Sequence, residues 1–236
     1  MLKIEKFVTM SPEQWEIVIE GARNPMNSWD RMDSYVLENE TETDILEPTY
    51  FVGENDMKLL ENLAKGGPVH AKYRRMMPVW VTLTAPLYWW KEFDTYKIGT
   101  VANSCSTMHK IHAKEFTLED FSCENLIDEF DVPVDLAGTD HTTSSAMEIT
   151  YMTIDALNWY RRKYLETKDK KYWEQMIQLL PTSYNQKRTV MLNYEVLVGI
   201  YRDRKNHKLD EWHTFCDWIR EALPYSELIT GEDSDG

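Results

Sequence analysis

The sequence predicts an α/β or α+β domain in which helix exceeds strand. Three observations predict it: long stretches carry apolar residues at helical spacing, short runs are rich in β-branched and aromatic residues, and the short runs lie between the helical stretches. The chain has 236 residues, which suits one large domain or two small ones, and 42% are hydrophobic, enough for a sizeable core.

Residues 2–8 alternate apolar and polar side chains, the pattern of a half-buried strand. Ser11-Pro12-Glu13-Gln14 follows as a helix start: Ser11 can cap, Pro12 fits the first helical position and Gln14 completes a capping box. Trp15, Val18 and Ile19 give that helix an apolar face. Residues 24–50 read as an irregular surface excursion. Residues 56–65 read as a short helix ended by Gly66-Gly67-Pro68. Residues 76–84 (MMPVWVTLT) predict a strand, and 86–93 a helical turn. A capping pattern opens a helical reading over 117–129. Residues 142–168 give the longest helical signal, with Met147, Tyr151, Ile154, Leu157 and Leu165 on one face. Residues 170–180 continue helical and stop at Pro181. Residues 189–193 read as a strand feeding a helix over 194–204. The last helix, 209–223, carries Leu209, Trp212, Cys216, Ile219 and Leu223 as its stripe. There is no internal repeat and no low-complexity linker. Residues 1–225 therefore read as one domain, and the acidic stretch 226–236 as a tail expected to be disordered.

The formal net charge is −14, which repels phosphate backbones and sets the expectation of no nucleic-acid partner. Residues 38–47 (ENETETDILE) and 231–236 (GEDSDG) concentrate part of that acidity in a solvated loop and a terminus. The nine Trp and thirteen Tyr read first as core, and second as ligand pocket or subunit interface. Three cysteines (Cys105, Cys123 and Cys216) without paired spacing fit a reducing cytosol rather than a disulfide framework. The opening MLKIEKFVTM lacks the apolar run of a signal peptide, and no stretch approaches the roughly 20 apolar residues of a membrane span. The expectation is a cytoplasmic protein with no membrane partner.

No G-x-G-x-x-G, Walker loop, H-E-x-x-H or C-x-x-C is present. Cys105, His109 and His112 have a spacing that can ligate a metal, but a fourth ligand is not apparent and no metal is expected. Asp140-His141 with Ser144 and Ser145 has the residue types of a nucleophilic constellation. Such groups must converge in space, and adjacency in sequence does not supply that. Three basic clusters stand out in an acidic chain: Lys72-Tyr73-Arg74-Arg75, Arg161-Arg162-Lys163 and Lys187-Arg188. Each suits either a phosphate or a solvated face.

Residues 85–109, APLYWWKEFDTYKIGTVANSCSTMH, resemble the signature region of flavin-dependent thymidylate synthases. In that family a strand leads through a Pro and a Gln-type position to an R-H-R triplet, followed by S-x-N-x-x-S-x-R-Y. Here Pro86 sits at the Pro and Glu92 at the Gln. Thr95, Tyr96 and Lys97 fall on Arg, His and Arg, and Thr100 on the first Ser. After one extra residue, Asn103, Ser106, Met108 and His109 fall on Asn, Ser, Arg and Tyr. A second block keeps the same register: Leu180-Pro181, Asn193, Glu195 and Asp203-Arg204 match a leucine-proline step, an Asn, an Arg and a Leu-Arg pair. Residues 159–181 resemble the helix leading to that proline, and Gly67-Pro68-Val69-His70 resembles a T/S-P-x-E step with His70 in the Glu place.

The resemblance spans residues 67–223 and implies a central antiparallel sheet flanked by helices. It implies FAD as cofactor, with NADPH and methylenetetrahydrofolate if the chain is active, a uridylate as acceptor, and a homotetramer with sites between subunits. It places Ser106 and Lys97 in catalytic positions. Tyr96, Lys97, Asn103, Asn193 and His70 take cofactor positions, and Ser106, His109, Arg188 and Arg204 take substrate positions. The departures are directed: Thr95, Met108, Glu195 and Ile177 stand where the family has Arg, and Gly199 where it has a flavin-contacting His. Each lost contact to a charged group is worth about 1.5–3 kcal/mol. The expectation is therefore a divergent, regulatory or phage-related protein that binds a nucleotide or flavin-like ligand. The alternatives are an active FAD-dependent dUMP methyltransferase and a structural homo-oligomer without ligand.

Overall fold

The computed structural model describes residues 1–37, 49–130, 132–134 and 142–231. The expected acidic loop over 38–47, the pair Asp140-His141 and the last five residues lie outside them.

The described chain packs as two compact units. One comprises Met1–Lys3, Thr84–Asp94 and Ser104–Arg188; the other comprises Ile4–Leu83, Thr95–Asn103 and Thr189–Gly231 of the described residues. The principal sheet has the order β1-β4-β8-β5, from β1 (Lys3–Val8), β4 (Pro78–Pro86), β8 (Asn185–Asn193) and β5 (Val101–Ser104). Along β4 the partners fall in reverse order on β8: Thr82 Oγ1 lies 3.0 Å from Thr189 Oγ1, and just beyond the strand the Leu87 N–H donates to the Tyr184 carbonyl at 3.0 Å. That reversal is antiparallel pairing, as the resemblance implies. Boundaries between the units fall inside each of these four strands.

In the second unit, α1 (Pro12–Arg23) begins as the sequence predicts. Ser11 Oγ accepts from the Gln14 N–H and Gln14 Oε1 accepts from the Ser11 N–H, closing the capping box. Trp15, Val18 and Ile19 are buried. The described residues of that excursion, 24–37 and 49–50, are more ordered than an irregular segment. They contain two 3-10 turns, and β2 (Tyr35–Leu37) pairs antiparallel with β3 (Thr49–Phe51). A buried polar knot fastens the turns to α2 (Glu54–Lys65). Arg23 Nε donates to Asp56 Oδ1 at 2.5 Å, and Arg23 also donates to the Ser28 and Arg31 carbonyls. Asp56 Oδ2 accepts from the Asp33 and Ser34 N–H groups and from the Ser34 hydroxyl. Asp33 in turn accepts from the Asn55 and Asp56 N–H groups, capping α2 from a distance. The backbone of Gly53 passes so close that an added Cβ would lie 2.3 Å from the Asp33 carboxylate. Gly53→Ala is expected to lower the melting temperature by several degrees, read by circular dichroism, because Asp33 must leave its cap.

The basic cluster from Lys72 to Arg75 sits on a 3-10 turn (Lys72–Met76), so β4 starts at Pro78 rather than at 76. β8 runs directly into α7 (Tyr194–Arg204), and α8 (Asp210–Ala222) buries Trp212, Phe215, Cys216 and Ile219. The chain folds further than the expected tail boundary at 226: α9 (Glu227–Thr230) buries Leu228 and Ile229. Just before it, Tyr225 holds a left-handed φ of 50°. Its hydroxyl accepts from the Val52 N–H at 2.8 Å and donates to the Tyr50 carbonyl at 3.0 Å, which fixes the end of β3.

In the first unit, α3 (Leu87–Phe93) buries Trp89, Trp90 and Phe93. The long helical signal is shortened at its start. Thr142–Ser144 form β7, antiparallel to β6 (Val132–Val134), and α5 (Ala146–Thr167) begins after Ser145, whose Oγ accepts from the Glu148 N–H. Two adjacent β-branched Thr followed by a capping Ser favour that division. Of the expected stripe, Ile154 and Leu157 are buried, whereas Tyr151 and Leu165 are exposed. α6 (Lys170–Leu179) follows, and the core gathers Ile111, Phe116, Phe121, Ile154, Leu157 and Met176. The helix expected over 117–129 is only a 3-10 turn (Leu118–Asp120). Its capping box is present, but Phe121 leaves the turn extended and bridges to Tyr184.

The three thiols sit in contrasting places: Cys105 is exposed, while Cys123 and Cys216 are buried. Burial pushes the Cys216 thiol up to about 11, with Asp217 adding to the shift. A thiol raised on folding favours the neutral form, so its contribution to stability is full below the ordinary thiol value of 9.0 and is lost as pH rises toward 11. A chromogenic disulfide reagent at pH 8 is expected to titrate one thiol in the native protein and three in denaturant.

Candidate functional site

Within the first unit a cleft of about 430 Å³ opens beside the start of α4 (Thr107–Lys110). Its position follows from how the chain leaves β5. The Cys105 N–H donates to the Lys187 carbonyl at 2.9 Å, and Gln186 Nε2 donates to the Cys105 carbonyl at 2.9 Å. Cys105 is thus tied to β8 through both its backbone groups. Ser106 Oγ then accepts from the His109 N–H at 3.0 Å and caps α4, leaving its own proton free to be given elsewhere. The far wall is held from behind: buried Asn158 Oδ1 accepts from the Phe116 N–H at 2.9 Å while its Nδ2 donates to the Phe116 carbonyl at 2.8 Å. Trp173 Nε1 donates to the Met108 carbonyl at 3.0 Å.

The cleft is lined by Cys105, Ser106, Lys110, Lys114, Tyr184 and Lys187, with Phe116 and Ile111 on its apolar side. Lys114 is paired with Asp120, and Glu119 also lines the cleft. Three lysines against two carboxylates leave a positive balance in a chain whose net charge is −14. Burial pushes the Tyr184 hydroxyl above the ordinary phenol value, with the charges of Asp120 and Cys105 adding to it, so Tyr184 remains a protonated donor at neutral pH. Asn185 Oδ1 accepts from the Ser122 hydroxyl at 2.9 Å, which orients its amide. The cleft thus combines exposed ammonium groups, hydroxyl donors and two aromatic rings, a lining for a flat, anionic small molecule.

Arg188 lies in the same unit but is engaged within the protein. Its guanidinium stacks 4.3 Å from the Trp90 ring, Nε donates to Gln186 Oε1 at 2.9 Å, and Nη1 donates to Asp94 Oδ1 at 2.7 Å. His109 is exposed on the α4 turn. Of the three residues with metal-like spacing, His112 packs edge-on to Tyr164 at 4.9 Å. Among the described residues no group of three His, Cys, Asp or Glu is placed to hold a metal ion. Ser144 donates to Glu148 and Ser145 donates to Asp128, so both serve the start of α5.

The second unit holds the remaining candidates. Arg204 Nε donates to the Tyr96 hydroxyl at 2.9 Å, and its guanidinium lies 5.6 Å from the Tyr96 ring and 4.8 Å from the Trp212 ring. Asn193 caps α7, its Oδ1 accepting from the Val196 N–H at 3.1 Å. Gly99, at φ 83°, brings the signature segment against that cap: a Cβ there would lie 3.0 Å from Val196 Cγ2 and 3.2 Å from Asn193 Nδ2. Gly99→Ala is expected to cost about 1–2 kcal/mol in the urea unfolding free energy from its left-handed backbone alone. Lys97, Asn103 and His70 are exposed, and His70 lies against Gly66. Glu195 Oε2 is buried with no hydrogen-bond partner among the described residues.

Sequence reasoning missed Lys110, Lys114 and Tyr184 in the cleft, and the rings of Trp90 and Trp212 over the two arginines. The four-residue step from Lys110 to Lys114 just after Ser106 was the available signal.

The chain has the fold of the flavin-dependent thymidylate synthases. No family model and no curated protein matches the chain. Among solved structures it is similar to Thymidylate Synthase X (ThyX) from Helicobacter pylori with FAD and dUMP, at a TM-score of 0.61 and 14% identity, over 98% of this chain and 97% of that one. A second structure of that enzyme with FAD and dUMP gives a TM-score of 0.56 at 14% identity, over 98% of each chain. The UMP/dUMP methylase PolB from Streptomyces cacaoi, bound with 5-Br dUMP, gives a TM-score of 0.56 at 14% identity, over 98% of this chain and 92% of that one.

Of the positions that the resemblance gives to the flavin, Lys97, Asn103 and His70 are exposed, Asn193 caps α7, and the Tyr96 hydroxyl accepts from Arg204 Nε.

Proposed function

We propose that this chain binds a pyrimidine nucleoside monophosphate in the cleft beside Ser106, on the flavin-dependent thymidylate synthase fold, without carrying out that family's flavin-dependent methylation. The observation that carries the reading is the lining of the cleft: Lys110 and Lys187 with the Ser106 hydroxyl suit a phosphate, and Tyr184 with Phe116 suits a flat base. The dUMP and 5-Br dUMP named with the similar structures support that ligand class. The protein acts as a homo-oligomer in the cytoplasm, with the tetramer as the expected form.

Calorimetric titration with dUMP tests the binding, together with the labelling rate of Cys105, which lines the same cleft. Saturable binding that slows Cys105 labelling at least about tenfold supports the reading. Neither heat nor protection from dUMP, UMP or dTMP sinks it. A second reading, an active FAD-dependent methyltransferase, draws on the presence of Ser106 in the cleft; it requires a flavin absorption band in the purified protein or after titration with FAD.

A further inference from the structure

The exposed face of α5 carries a seam that nothing described so far uses. Ile149, Met152, Ala156, Trp159 and Lys163 recur at alternating steps of three and four residues, so they share one face. Ile149, Met152 and Trp159 are 38%, 52% and 45% exposed, while Ile154, Leu157 and Asn158 on the opposite face are buried. Scattered exposed apolar side chains are ordinary, but a seam of them along a 22-residue helix is not.

The charges along α5 are distributed asymmetrically. Glu148 and Asp155 lie in its first half, and Arg161, Arg162 and Lys163 in its second, with Glu166 beside them, so the halves carry net charges of opposite sign. Paired with a copy of itself in antiparallel fashion, the helix is self-complementary. With the two-fold axis between positions 155 and 156, Met152 of one chain faces Trp159 of the other, and Glu148 of one chain faces Lys163 of the other, each contact occurring twice. A parallel pairing would set like charges against each other. Both charges are at the surface: exposed Glu148 accepts from the Ser144 hydroxyl, and Lys163 pairs with exposed Glu166 while its Nζ lies 5.9 Å from the Trp159 ring centroid.

We propose that the outer face of α5 is a two-fold interface with a second copy of this chain, centred on Met152 and Trp159 and registered by Glu148–Lys163 pairs. It specifies one contact of the homo-oligomer proposed above and rests on that reading.

Sedimentation velocity at micromolar concentration tests it. The wild-type chain is expected to sediment at a multiple of the chain mass. Trp159→Glu is expected to weaken self-association by at least about 30-fold, as loss of a central aromatic anchor does. Lys163→Glu is expected to weaken it as well, and Glu148→Lys in the same chain to restore it. The paired charge reversal guards against a variant that merely misfolds, and an unchanged thermal melt confirms each fold. A monomeric wild type overturns both the oligomer and this face. An oligomer unmoved by Trp159→Glu, or a Lys163→Glu defect that Glu148→Lys fails to rescue, overturns the face alone.

Discussion

Asp56→Ala is expected to destabilise the protein by about 3–5 kcal/mol, measured as the shift in urea midpoint multiplied by the common slope. Asp56 is fully buried, and Arg23 is 3% exposed. Removing the carboxylate leaves a guanidinium in a site with little water and frees the Asp33 and Ser34 N–H groups and the Ser34 hydroxyl at once. A domain of this size has about 5–15 kcal/mol in total, so the loss takes a large part of it. The cost belongs to the unpaired charge rather than to the pair. The double variant Arg23→Met with Asp56→Leu is therefore expected to be less damaging than Asp56→Ala alone. A loss below about 1 kcal/mol for Asp56→Ala would show that water reaches Arg23.

The second large effect concerns the cleft. Replacing both Lys110 and Lys187 by alanine is expected to weaken dUMP binding by at least about 100-fold, read by calorimetry at fixed ionic strength. Two charge-assisted contacts at about 1.5 kcal/mol or more each sum to about 3 kcal/mol, and each 1.4 kcal/mol is tenfold. Both side chains are exposed, so the fold and melting temperature should hardly move. Raising the salt concentration should reduce the difference between wild type and variant, because exposed charges are screened. If the double variant binds as tightly as wild type, the phosphate does not lie between these lysines.

The sequence carried the elements better than it carried the site. Caps and breakers are local physics, and Ser11 with Gln14, left-handed Gly67 just past α2, and Pro181 after α6 all act as their types predict. Where local signals competed, tertiary context decided. Thr142–Ser144 pair as β7 instead of opening the helix, and Phe121 bridges to Tyr184 instead of extending the turn before it. The retained arginines illustrate the limit for sites. A sequence register marks Arg188 and Arg204 as substrate-binding positions, but it does not show that Trp90 and Asp94 hold the first, or that Tyr96 and Trp212 hold the second. These partners lie between 8 and 108 positions away along the chain. The cleft is harder still to read, since it depends on Cys105 being tied to β8 from both sides, a matter of backbone geometry.

The bond from Tyr225 to β3 has a consequence for how the chain is made. Val52 and Tyr50 leave the ribosome early, but the hydroxyl that fixes them belongs to a residue 173 and 175 positions later. Both units are sewn from three separated stretches, but the one containing them closes only with a stretch that begins at Thr189, whereas the last stretch of the other, Ser104–Arg188, is made before it. During synthesis that earlier stretch can find its own contacts first, while the N-terminal stretch waits with its apolar side chains uncovered. A stalled or truncated chain ending before Tyr225 would therefore be a client for chaperones, even though it contains every residue of the cleft.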